Sequence, residues 1–201
     1  SWSWVMAMYE LELTNGVDAA HYDPEGLITR GQMAAFLARF MRDNGLEDME
    51  GVEQFSDVPE THGFYDDILM LKAYNVSDGF DDGTFKPESP MLRSQMAKFI
   101  EIAFRSIEIY TGDITPHWNT DLEIVPTGFT FEDVGMDHVL VGYIEEMFFD
   151  TLTDGCRIED GDLFFCPDDV VTRESLAKFL VRAIQEDGDT KAFWGVLAPE
   201  K

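Results

Sequence analysis

The stretch Asp82-Gly-Thr-Phe-Lys-Pro-Glu-Ser-Pro-Met-Leu-Arg-Ser-Gln-Met-Ala-Lys-Phe99 reads as a tight turn, an extended aromatic-X-Pro step and an arginine-bearing helix start. An apolar-periodic helix follows. The grammar recurs upstream as Tyr22-Asp-Pro24, Thr29-Arg30-Gly-Gln32 and Met33-Ala-Ala-Phe36-Leu37. It recurs downstream as Phe165-Cys-Pro167, Thr172-Arg173-Glu-Ser175 and Leu176-Ala-Lys-Phe179-Leu180. In every copy the arginine lies six residues after the proline, and a phenylalanine lies six residues after the arginine. The chain is read as a threefold repeat.

Aligned on Arg30, Arg93 and Arg173, the copies are offset by 63 and 80 residues, a spacing suited to an array of supersecondary units. Each turn is preceded by a first helix, with landmarks Val5, Met8 and Leu13, then Ile68, Leu71 and Val76, then Ile144, Met147 and Leu152. Gly16, Gly79 and Gly155 are expected to close these helices. Phe55-Ser-Asp57-Val58 and Phe131-Glu-Asp133-Val134 stand ahead of two of them, and each aspartate is expected to cap or orient the helix that follows. His62 and His138 recur by repeat position, which favours a structural role. Thr29 with Gln32 forms a capping box and Thr172 caps with a weaker partner in Ser175, whereas Leu92 breaks the rule.

The expected boundaries are 1–42 for a first repeat whose start is missing and 43–54 for an acidic linker. Then come 55–105 for the second repeat, 106–130 for an inserted linker, 131–186 for the third repeat and 187–201 for a tail. The insertion holds Trp118 and the alternating Ile107-Glu-Ile109-Tyr, a pattern open to a small hairpin or a groove cover. The tail holds Phe193-Trp-Gly-Val-Leu197, which can dock back or face a partner.

Forty acids against fourteen bases give a net charge of −26, which repels nucleic acid and anionic membrane. No run of about 18 apolar residues spans a bilayer, and no signal peptide is visible at Ser1-Trp-Ser-Trp-Val. Mature processing or a fragment of a longer chain would each explain that start. Cys156 and Cys166 fit no zinc pattern. A disulfide stapling one loop is preferred over two free thiols, and it implies an oxidising compartment. The four histidines form no metal spacing and no nucleophile motif appears, so no catalysis is expected. Asp78-Gly-Phe-Asp81-Asp82-Gly83 lacks the spacing and closing glutamate of an EF-hand, so a plain turn is expected there and no cofactor, with calcium alone left open.

Nine of the fourteen bases fall in the second helices. Arg30, Arg93 and Arg173 occupy first turns, where the helix dipole disfavours cations. Anion binding at helix N-terminal N–H groups is one reason for such placement; pairing with an acid of a neighbouring repeat is the other.

The order F-x-D-V, helix, Gly, D-G-x-F-x-P, then T-R with an apolar helix resembles the S-layer homology repeat. Phe55-Ser-Asp-Val58, Asp82-Gly-Thr-Phe85-Lys-Pro87 and Ile28-Thr-Arg-Gly-Gln32 carry it best, and three repeats cover nearly the whole chain. The resemblance implies an all-α fold of three helix-loop-helix repeats in a pseudo-threefold spindle with grooves between repeats. It implies non-enzymatic anchoring at an extracellular bacterial surface, through an anionic, often pyruvylated, cell-wall polysaccharide or peptidoglycan-linked polymer. Carried over by position, Arg30, Arg93 and Arg173 are the anion ligands, assisted by Asp57 and Asp133. The chain departs from the family pattern at Gly63 and Val139, where a tryptophan is usual, and at Leu92. Gly31-Gln32, Ser94-Gln95 and Glu174-Ser175 replace an Ala-Glu pair. With no F-x-D-V in the first copy, one groove is expected to be incomplete or finished by another chain. The rival reading is a self-assembling subunit of a surface layer or filament, with other copies of itself as partners.

Overall fold

The computed structural model describes residues 5–6, 22–111 and 126–185. Within them run α1 (Arg30–Asp43), α2 (Tyr65–Ala73), α3 (Arg93–Thr111), α4 (Val141–Phe149) and α5 (Arg173–Gln185). Between α4 and α5 a two-stranded antiparallel hairpin joins β1 (Arg157–Glu159) to β2 (Asp162–Phe164). Val5 and Met6 are helical, and Val5 is buried. The landmarks Met8, Leu13 and Gly16, the segment 112–125 and the tail 186–201 lie outside the described residues.

Helices α1, α3 and α5 are the arginine-bearing second helices, and their apolar stripes form the core. Met33, Leu37 and Met41 on α1, Met96 and Ile100 on α3, and Leu176 and Val181 on α5 are buried in one cluster. Burying each such side chain stabilises the fold by about 1.5–3 kcal/mol. The pairing of helices crosses the repeat boundaries: α1 packs on α2, and α3 packs on α4. The stripe on α3 runs on through Ala103, Phe104 and Ile107, all buried. Ile107-Glu-Ile109-Tyr is therefore helical rather than a hairpin strand, with Ile109 on the exposed side. Apolar residues at helical spacing outweigh the short alternation.

The three arginine-bearing starts are joined to one another in a closed ring. Ile28 N–H donates to the Val171 carbonyl, Val171 N–H to that of Met91, and Met91 N–H to that of Ile28, at 2.8–2.9 Å. All three side chains are no more than 1% exposed. Residues as far as 143 positions apart in sequence thus meet their counterparts, so each copy's helix start depends on the others.

The helix ends correct one expectation. Gly79 and Gly155 do not close α2 and α4; Asn75 (φ 57°) and Thr151 (φ 58°) take the left-handed position after the helix. Val76 N–H then reaches back to Leu71 and Asn75 N–H to Lys72, a Schellman ending. Gly79 serves a different purpose. A Cβ there would lie 2.5 Å from the Phe55 ring, and at Gly155 one would lie 2.5 Å from the Phe164 carbonyl and 3.2 Å from the Phe131 ring. These glycines let the phenylalanine of each F-x-D-V stretch lie against the aromatic-X-Pro turn. Phe55 meets Phe85 at 5.4 Å between centroids and Phe131 meets Phe165 at 5.3 Å.

Cys156 and Cys166 form a disulfide, and the segment it closes is the hairpin rather than an irregular loop. Asp160 (φ 51°) and Gly161 (φ 99°) make its two-residue turn, the backbone that an Asp-Gly pair favours.

Candidate anion-binding site

Each aromatic-X-Pro turn places its middle residue at positive φ: Asp23 at 51°, Lys86 at 59° and Cys166 at 58°. Non-glycine residues rarely adopt this conformation, so something must hold it. In the second copy Asp57 does so, accepting from Phe85 N–H at 2.8 Å and Lys86 N–H at 2.7 Å. Asp133 does the same for Phe165 and Cys166, both at 2.7 Å. Neither aspartate caps the following helix, which begins eight residues later. Their carboxylates grip backbone of their own repeats, and any help to an anion is through the turn they hold. His62 and His138 organise the helix starts instead, their Nδ1 atoms accepting from Phe64 N–H and Leu140 N–H.

The turns so fixed present carbonyls to the helix of the preceding copy. Arg30 N–H and Gly31 N–H donate to Ser89 and Pro87; Arg93 and Ser94 to Asp169 and Pro167; Arg173 and Glu174 to Gly26 and Pro24. The third N–H is taken by Thr29 in α1 and by Thr172 in α5. The first-turn N–H groups therefore do not form the anion cradle that the helix N-termini suggested. Neighbouring carbonyls reach them first.

The guanidinium groups follow the same cyclic pattern. Arg30 Nε donates to the Phe85 carbonyl at 2.8 Å, Arg93 Nε to that of Phe165 at 2.9 Å and Arg173 Nε to that of Tyr22 at 2.7 Å. Each stacks on aromatic rings: Arg30 over Phe80, Phe85 and Phe99, Arg93 over Phe165 and Phe179, and Arg173 over Tyr22. The expected alternative, an acid of the next repeat as ion-pair partner, is replaced by a carbonyl and an aromatic face. Burial lowers the Arg30 pKa to about 10, partly countered by the charge of Asp57, and burial likewise lowers that of Arg93. Both are charged at neutral pH.

Beyond Nε the copies diverge. Arg30 Nη1 donates to Gln95 Oε1 at 3.0 Å, whereas Arg93 Nη2 is buried without an acceptor. The acceptor role of Gln95 was invisible in sequence, where it stands only as part of the Ser94-Gln95 pair that replaces Ala-Glu. Among the described residues no cluster of three or more His, Cys, Asp or Glu side chains has metal-binding geometry.

The S-layer homology domain is matched at residues 1–34 and 54–97. Over these two segments the chain is similar to the S-layer homology family. A protein named "Cell surface protein" from Thermoanaerobacter kivui is 30% identical over 98 residues, covering 48% of this chain. The match spans 13% of that protein's length. The matched S-layer homology segments hold Arg30 and Arg93 with Asp57 and the Phe85 turn. Residues 131–185 lie beyond them and repeat the same bonds at Asp133, Phe165 and Arg173.

Proposed function

We propose that the chain is a non-enzymatic anchoring module at the bacterial cell surface, built as three S-layer homology repeats in a pseudo-threefold helical spindle. Its ligand is an anionic, pyruvylated cell-wall polysaccharide held in the grooves between repeats. One observation carries this reading: the guanidinium of Arg93 is buried at a junction between repeats with an Nη2 donor that the protein leaves unsatisfied. A charged donor of this kind gains from a carboxylate acceptor. The ring of inter-repeat hydrogen bonds supports the spindle, and the disulfide suits an extracellular setting. Among the described residues no helix is long and apolar enough to cross a membrane.

The test is co-sedimentation with purified cell walls, comparing wild type with Arg93→Lys and with a wall-free control. Lysine keeps the charge while losing the planar fork, so reduced pelleting with an intact circular dichroism spectrum supports the anchor. Equal pelleting of both proteins contradicts it.

A second reading, a self-assembling surface subunit, is favoured by exposed apolar residues in the third copy and just ahead of it. Phe129 and Val139 are 91% and 90% exposed, where the second copy carries Glu53 and Gly63. Pelleting without walls supports this reading.

A further inference from the structure

We infer that the repeats do not offer equal sites: the Arg93 junction between the second and third repeats takes the carboxylate, and Gln95 acts as a built-in occupant of the Arg30 junction. This assignment rests on the carboxylate-ligand reading above and adds which junction is free and which residues decide it.

At Arg30 the chain supplies what a ligand would supply. Nε is bonded to the Phe85 carbonyl and Nη1 to the side-chain oxygen of Gln95. Beside it, Gly31 lies beneath Phe64. A Cβ on Gly31 would stand 2.8 Å from Phe64 Cδ2 and 3.1 Å from the Pro87 carbonyl. The face of α1 next to the arginine is therefore covered by an aromatic ring, and the missing methyl of Gly31 makes room for it.

At Arg93 the corresponding parts are missing. The position of Gln95 is filled in the third copy by Ser175, whose side chain is too short to reach the guanidinium. Its hydroxyl is engaged locally, accepting from Thr172 Oγ1 at 2.9 Å. Arg93 Nε keeps its bond to Phe165, and Nη2 is left buried with no acceptor. Native proteins satisfy most buried polar groups, and an unmet donor on a charged group is costly.

The surroundings specify the acceptor. Arg93 is 8% exposed and its Nη2 is itself buried, so a carboxylate reaching that donor must displace a neighbour. Asp133 and Asp169 both bear on Arg93 electrostatically. Asp133 is committed to the N–H groups of Phe165 and Cys166. Two nearby negative charges, in a chain of net charge −26, disfavour a dianionic phosphate more than a monoanionic carboxylate. Arg173 stands outside this comparison, since the copy it leans on is described only from residue 22.

The test titrates wild type, Ser175→Gln and Gln95→Ser with the methyl glycoside of a pyruvylated hexosamine. Its methyl ester is the uncharged control, and thermal unfolding without ligand is recorded in parallel. Wild type is expected to bind the acid and not the ester. Ser175→Gln gives Arg93 an internal acceptor, so affinity falls about tenfold or more. Its unliganded melting temperature rises by about 2–4 °C. Gln95→Ser retains the first site, gains a second, and melts lower. Binding that survives Ser175→Gln, or is lost in Gln95→Ser, overturns the assignment of junctions alone. No binding of the acid by any of the three overturns the carboxylate reading beneath it as well.

Discussion

Arg93 donates through Nε to the carbonyl oxygen of Phe165 at 2.9 Å, across 72 residues of sequence. Equivalent bonds link Arg30 to Phe85 and Arg173 to Tyr22, so each arginine ties its helix start to the turn of another copy. Folding and ligand chemistry share one side chain. Arg30→Ala removes two hydrogen bonds and the stacking on Phe80, Phe85 and Phe99, and is expected to destabilise by about 2–4 kcal/mol. Urea denaturation of the intact chain measures it. A loss below about 0.5 kcal/mol contradicts the structural role.

Asp57 and Asp133 are predicted to matter for stability before they matter for binding. Each accepts two backbone N–H bonds that hold a positive-φ turn. Asp57→Ala or Asp133→Ala is expected to cost about 2–4 kcal/mol, because two part-buried donors and a strained turn lose their partner. Lys86→Gly in the Asp57→Ala background recovers the strain portion, about 1 kcal/mol, if the turn conformation is the cause. No recovery in the same denaturation assay contradicts that cause.

The three arginine-bearing helices were legible because their apolar spacing is regular and the arginines recur at fixed distances from proline and phenylalanine. The capping box at Thr29 and the disulfide between Cys156 and Cys166 were also readable, since both depend on local chemistry. The tasks of Asp57, Gly79 and Gln95 were not, because their partners Phe85, Phe55 and Arg30 are distant or belong to another copy. Helix N-termini looked open in sequence for the same reason: the carbonyls of Ser89, Asp169 and Gly26 arrive through tertiary structure.

The glycines provide a graded check. Gly63 has open space around its Cβ position, whereas Gly79 combines φ +80° with 2.5 Å and 2.6 Å approaches to Phe55 and the Thr84 carbonyl. Gly63→Ala is expected to change stability by less than about 0.5 kcal/mol, and Gly79→Ala to cost more than about 2 kcal/mol. Equal effects on the urea midpoint contradict the close aromatic approach.

Acid should loosen the approach to the third copy. Burial pushes the Glu145 carboxyl up, but hydrogen bonds from Thr127 and Thr130 outweigh it and hold the group below the usual range. A depressed native pKa means stability that is full above the unfolded carboxylate value and is lost as pH falls through the native one. Glu146, raised by burial beside Arg105, acts in the opposite sense. Glu145→Gln should therefore flatten the acid side of the stability curve and cost about 1–3 kcal/mol at neutral pH. An unchanged acid limb in denaturation from about pH 6 to about pH 3 contradicts this role for Glu145.

The most direct test of the anchoring claim is co-sedimentation of the wild-type chain with intact cell walls and with walls chemically stripped of their pyruvylated polymer. The prediction is pelleting with intact walls, competition by the free pyruvylated glycoside, and a supernatant protein with stripped walls. Equal pelleting with both preparations, or pelleting with no wall at all, contradicts it.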